Sequence, residues 1–114
     1  MGQGQPDDGF IPVARLDALD ARGRAVVDVG GTRLVLIQVE GRLHALEESC
    51  PHRGGPLSEG DLDGHLLYCP LHAWPFDVRT GRCPLREGVQ VRIHDVRVRG
   101  EEILVAASAR VAGR

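Results

Sequence analysis

Residues 50–81 read CPHRGGPLSEGDLDGHLLYCPLHAWPFDVRTG. Four side chains in this stretch suit metal chemistry: Cys50, His52, Cys69 and His72. Their pattern is Cys-x-His, sixteen intervening residues, then Cys-x-x-His. Both halves lie among Pro and Gly, which predicts two loops whose side chains can converge without breaking a strand ladder. Thiolate and imidazole together form a soft-to-borderline donor set, suited to zinc or iron–sulfur and poor for calcium or magnesium. Tetrahedral zinc sites of this composition usually pair the two Cys in one knuckle and the two His in another. Here each loop supplies one of each, a split that suits a two-iron cluster reached by both loops. A zinc-bound structural module stays open as the rival.

On either side of this stretch the chain reads as short strands. Before it, Ile11–Leu16 forms a first strand in which Pro12 fits an edge. One helical turn is expected over Asp17–Ala21. Strands follow at Arg24–Val29, Thr32–Val39 and Arg42–Glu47, separated by Gly30-Gly31 and Glu40-Gly41. Within it, Cys50–Gly64 reads as loop, Leu66–Cys69 as a short strand, and Phe76–Val78 as another ending in a turn where Gly81 supplies a positive φ. After it, Val89–Arg99 places apolar residues first on odd and then on even positions. That slip predicts a bulge or sharp bend at His94-Asp95. Glu102–Ala106 is the last strand. No ten-residue stretch keeps a helical period. The expected fold class is all-β: a small antiparallel sandwich or barrel with an inserted metal-binding subdomain.

The chain has 114 residues, 42% apolar and 26% charged, which fits one globular domain. Aromatic residues are only 4%, so Val, Leu, Ile and Ala must build the core. The net charge of −2 offers no basic excess for phosphates, so no nucleic-acid partner is expected. No apolar run approaches the roughly 20 residues of a membrane span. Residues 1–9 and 109–114 read as tails around a domain at 10–108, with the metal-binding region at about 48–84. Three cysteines are an odd number for a disulfide framework, and the first residues lack the pattern of a secretion signal. Both features point to reducing cytoplasm.

The doubled motif, with Gly54-Gly55 and the hairpin from Phe76-Asp77 to Thr80-Gly81, resembles the cluster-binding region of Rieske ferredoxins. The likeness is close over residues 50–81, and the flanking strands fit that family's antiparallel architecture. The resemblance implies one Rieske [2Fe–2S] cluster per chain, with Cys50 and Cys69 on one iron and His52 and His72 on the other. It implies a one-electron carrier rather than an enzyme. The partners would be a flavin- or NAD(P)H-dependent reductase and a terminal oxygenase, such as an aromatic-ring-hydroxylating dioxygenase. The alternative is the small subunit of an NADH-dependent nitrite reductase, which resembles this chain at Thr80-Gly81-Arg82-Cys83 and Val91–Val98.

Rieske proteins of respiratory complexes differ from this sequence in two ways. They carry a disulfide between the cluster loops at positions that here are Gly55 and Leu71. They also place Ser and Tyr hydroxyls near the cluster where this chain has Trp74 and Phe76. Lost hydrogen bonds to sulfur lower the potential, so the resemblance implies a value near the low end of about −150 to +300 mV. Ala73 stands where the family commonly has Gly, and a positive φ there would cost of order 1 kcal/mol. The remaining candidates are ordinary: Cys83 as a half-buried side chain, His44 and His65 as strand and turn residues, His94 as packing. Arg92, Arg97 and Arg99 read as a solvated strand face or a docking patch, and Trp74 as a cover over the cluster.

Overall fold

The computed structural model describes residues 9–51, 54–71 and 73–110. The chain forms antiparallel strands throughout, with two single 3₁₀ turns at Leu16–Ala18 and Leu57–Glu59. Three small sheets stack in sequence. The first holds β1 (Phe10–Arg15), β10 (Glu102–Ala106) and β9 (Val96–Arg99), with β10 in the middle. The second runs β2 (Arg24–Val29), β3 (Thr32–Val39), β4 (Arg42–Glu47) and β8 (Ile93–His94). The third is β5 (Asp61–Asp63), β6 (Leu66–Tyr68) and β7 (Pro75–Asp77).

Strand β3 explains the stacking. A strand with one wet face alternates apolar and polar residues, whereas one buried on both faces is a continuous apolar run. Leu34, Val35, Leu36 and Ile37 are all fully buried. Their side chains alternate between faces. Leu34 and Leu36 join Val29, Ala45, Ile103 and Val105 in the core against the first sheet. Val35, Ile37 and Val39 join Leu46, Leu57, Leu67, Phe76, Val78, Cys50 and Cys69 in the core against the third.

Pro12 lies on the outer strand β1, as an edge proline should, and the register slips between Pro12 and Ala14. The parity slip at His94-Asp95 is not a bulge within one strand. The chain changes sheets there: β8 pairs with β4 and β9 pairs with β10. Two different cores each demand their own parity, and Asp95 absorbs the change. The His94 Nδ1 bonds the Ala106 carbonyl at 2.7 Å across that corner.

At the end of β4 remote from Cys50, His44 lines a cleft with Arg42, Arg79 and Arg110. Its Nε2 is buried without a hydrogen-bond partner, and its ring meets His65 edge-on at 6.4 Å. Burial holds the His44 pKa below the ordinary value; His65, Arg42 and Arg79 push the same way, and Asp77 opposes them. The native state therefore favours neutral His44, while the unfolded chain takes up the proton. Its contribution is present above about pH 6.5 and is lost as pH falls below that value. Stability should fall more steeply in wild type than in His44→Gln between about pH 7.5 and pH 5.5. Equal slopes in chemical denaturation would refute this.

Candidate metal centre

Two turns of the same construction follow β4 and β6. In the first, the Cys50 N–H donates to the Gly55 carbonyl at 2.9 Å, and the Gly54 N–H donates to the Cys50 carbonyl at 2.7 Å. In the second, the Cys69 N–H donates to the Trp74 carbonyl at 2.9 Å, and the Ala73 N–H donates to the Cys69 carbonyl at 2.7 Å. Each turn closes four residues beyond its cysteine on a left-handed residue, with φ of 73° at Gly54 and 58° at Ala73. Gly suits that conformation and Ala is strained in it. The Ala73→Gly variant should gain about 1 kcal/mol in stability, read as a higher denaturation midpoint. A loss would show that the Ala73 methyl group packs usefully.

The turns meet back to back. A Cβ on Gly55 would lie 2.8 Å from the Cys69 Sγ and 2.9 Å from the Leu71 Cγ, so the first loop's bare backbone sits on the second cysteine. Cys50 and Cys69 are each 2% exposed, and no disulfide joins Cys50, Cys69 or Cys83. His52 and His72 lie outside the described residues. In sequence, His52 falls two residues after Cys50 and His72 three residues after Cys69, each before its turn closes. Pro51, Pro70 and Leu71 in the same turns face solvent. Two buried thiols at matching corners of facing turns, with an imidazole in each turn's sequence, fit an iron–sulfur cluster that one edge of the protein shields.

The surroundings are apolar. Phe76 is fully buried in the core that holds both cysteines, and Trp74 packs against that core, half-buried. The Arg86 guanidinium lies 4.9 Å from the Trp74 ring centroid. Cys83 is more deeply buried than the sequence suggested, at 5% exposure, and belongs to the same core. At the end of β7, the Asp77 carboxylate accepts from the Arg79 guanidinium and from the Arg79 N–H at 2.9 Å, which holds its pKa below the ordinary carboxylate value. Gly81 takes the expected positive φ, at 83°.

The family model for the Rieske [2Fe–2S] domain matches residues 9–93. The chain belongs to that family. The cofactor of this Rieske protein is a [2Fe–2S] cluster, and its all-β architecture is the Rieske ferredoxin fold. It is 35% identical over 83 residues to the ferredoxin component of the naphthalene 1,2-dioxygenase system of Pseudomonas aeruginosa, covering 72% of this chain and 80% of the relative. The ferredoxin of carbazole 1,9a-dioxygenase from Nocardioides aromaticivorans IC177 superposes with a TM-score of 0.76 at 35% identity, over 85% of this chain and 96% of that one. A protein described as a nitrite reductase small subunit shares the fold, with a TM-score of 0.75 at 22% identity over 84% of this chain and 96% of that one. No helix among the described residues is long and apolar enough to cross a membrane.

Two features were not apparent in the sequence. Strand β5 is Asp61-Leu62-Asp63, in the segment expected as loop. Arg24, Glu48 and Ser58 form a buried polar network beneath the first turn.

Proposed function

We propose that this Rieske protein carries one electron at a time in the cytoplasm, from a flavin- or NAD(P)H-dependent reductase to a terminal oxygenase. Cys50 and Cys69 hold the inner iron of the cluster, and His52 and His72 hold the outer one. The working unit is a single domain over residues 10–108, with the cluster-binding region at about 48–84. The observation that carries this reading is the match, along four-fifths of its length, to a relative that serves a dioxygenase as its ferredoxin. The bound cluster supplies a site that accepts and releases a single electron. The protein's part is to hold two thiolates in a dry core and to keep their loops at fixed spacing. Exposed Leu71 (53%) lies in the second turn, and exposed Leu85 (72%) precedes Arg86, which stacks on Trp74.

The test reconstitutes the chain with candidate partners. With an NADH-linked reductase and a ring-hydroxylating oxygenase, substrate-dependent NADH oxidation should require this protein and saturate with its concentration. Stable co-elution with a nitrite reductase large subunit, with no transfer to oxygenases, would favour the subunit reading instead. Recovery of one zinc and no iron from an anaerobic, metal-replete preparation would overturn both.

The potential of the cluster offers a finer check. Trp74 and Phe76 bring no hydroxyl to the site, so the midpoint potential should be low. Phe76 is fully enclosed in the core with Cys50 and Cys69. A hydroxyl added by Phe76→Tyr enters that core, where a bond to sulfur is the contact that moves the potential. A differential hydrogen bond of about 1 kcal/mol favours the more negative reduced state and raises the potential by roughly 40 mV for one electron. Protein-film voltammetry reads the shift, and a downward one would refute this account of the potential.

A further inference from the structure

Among the described residues, Arg24, Ser58 and His94 are the buried polar or charged side chains. His94 serves the corner between sheets, and the Arg24 guanidinium meets the backbone of Ser58. Arg24, on the outer strand β2, is 5% exposed. Its Nη1 donates to the Ser58 carbonyl at 2.8 Å and to the Gly60 carbonyl at 2.6 Å. The Asp20 carboxylate fixes the start of β2 by accepting the Arg22 and Arg24 backbone N–H groups. From the opposite side, Glu48 accepts the Ser58 N–H at 2.8 Å and the Ser58 hydroxyl at 2.6 Å. Ser58 is therefore held between a buried cation and a carboxylate.

The clamped segment touches the chain just before each cysteine. Glu48 is two residues ahead of Cys50, and its carbonyl accepts the Leu57 N–H at 2.8 Å. Gly60 packs directly on the carbonyl of Tyr68, the residue before Cys69. A shift of Ser58–Gly60 would thus reach both turns. Arg24 is buried and Glu48 half-buried, so water screens their charges incompletely at the cysteine turns: a cation favours the more negative reduced state, and an anion opposes it.

We propose that Arg24 and Glu48 act as an opposed-charge pair that positions both cysteine turns through Ser58 and Gly60 and tunes the reduction potential of the cluster. The inference rests on the reading of Cys50 and Cys69 as cluster ligands. Arg24 and Glu48 are positioning residues and do not touch the metal.

The experiment compares the wild-type holoprotein with Arg24→Met, Arg24→Lys and Glu48→Gln, each first shown to hold its full iron and sulfide. Gln can keep both contacts to Ser58, one as acceptor and one as N–H donor to the hydroxyl, while the charge disappears. The potential should fall in Arg24→Met, stay near wild type in Arg24→Lys and rise in Glu48→Gln. Iron release to a chelator should quicken roughly fivefold in Arg24→Met, which is about 1 kcal/mol. Equal potentials in all four proteins, even with lowered melting temperatures, would reduce the pair to a structural strut and overturn the proposal. So would shifts of the same sign in Arg24→Met and Glu48→Gln. If Arg24→Met does not accumulate, Glu48→Gln decides: a rise supports the proposal and an unmoved potential overturns it. Failure of the ligand assignment shows elsewhere, as full iron content in Cys50→Ala or Cys69→Ala.

Discussion

Replacing Cys50 or Cys69 with Ala should leave the purified protein colourless and free of iron, while Cys83→Ala should remain red-brown. All three thiols are buried in one core, with exposures of 2%, 2% and 5%, so burial does not separate them. Backbone geometry does. Cys50 and Cys69 each open a turn in which the residue four positions on is left-handed and donates back to the cysteine carbonyl. Cys83 opens no such turn: its N–H donates to the Val89 carbonyl, and its own carbonyl accepts from Arg86 three residues on. A [2Fe–2S] centre of this type has places for two thiolates only. Iron and acid-labile sulfide should therefore approach two of each per chain in wild type and Cys83→Ala, and zero in the other two variants. Cys83→Ala should cost about 1 kcal/mol of stability from the small void it leaves. Bleaching by Cys83→Ala, or survival of colour in Cys50→Ala, would sink the ligand assignment.

The Gly60→Ala variant should be strongly destabilising for a single added methyl. A Cβ there would collide with the Tyr68 carbonyl, and it would also lie 3.3 Å from the Leu57 carbonyl. Both obstacles are backbone, so no rotamer change can relieve the clash. The φ of Gly60 is −80°, an ordinary value, so the cost is steric and not conformational. Overpacking of this kind costs roughly 3 kcal/mol or more, or about 10–20 °C in melting temperature for a domain of this size. The strain falls on β6 and so on Cys69, and visible absorbance should be lost at a lower temperature than β-sheet circular dichroism. A wild-type melting curve would show that the segment moves aside freely.

The sequence and the structure part company in instructive places. Strands β2, β3 and β4 are found where alternation and apolar runs put them, because each buries residues that only a pleated strand could bury. Strand β5 escaped notice because Asp61-Leu62-Asp63 has no β-preference of its own. Its conformation is set by pairing with Leu66–Tyr68. The parity slip at His94-Asp95 was visible, but its meaning depended on which sheet each half joined, a long-range fact. The cysteine pair that opens the two turns was legible, as was the strained role of Ala73, whereas His52 and His72 lie outside the described residues. The clamp on Ser58 was not, since Arg24 and Ser58 are thirty-four positions apart and an arginine on a strand usually faces water.

Strand β3 divides the molecule into two halves of unequal dependence on the cofactor. The half formed with β1, β10 and β9 contains no cysteine and none of the proposed ligands. Iron loss disturbs the packing on one face of β3 and leaves the other face covered. The core between β3 and the first sheet can thus assemble from residues that belong to neither cysteine turn.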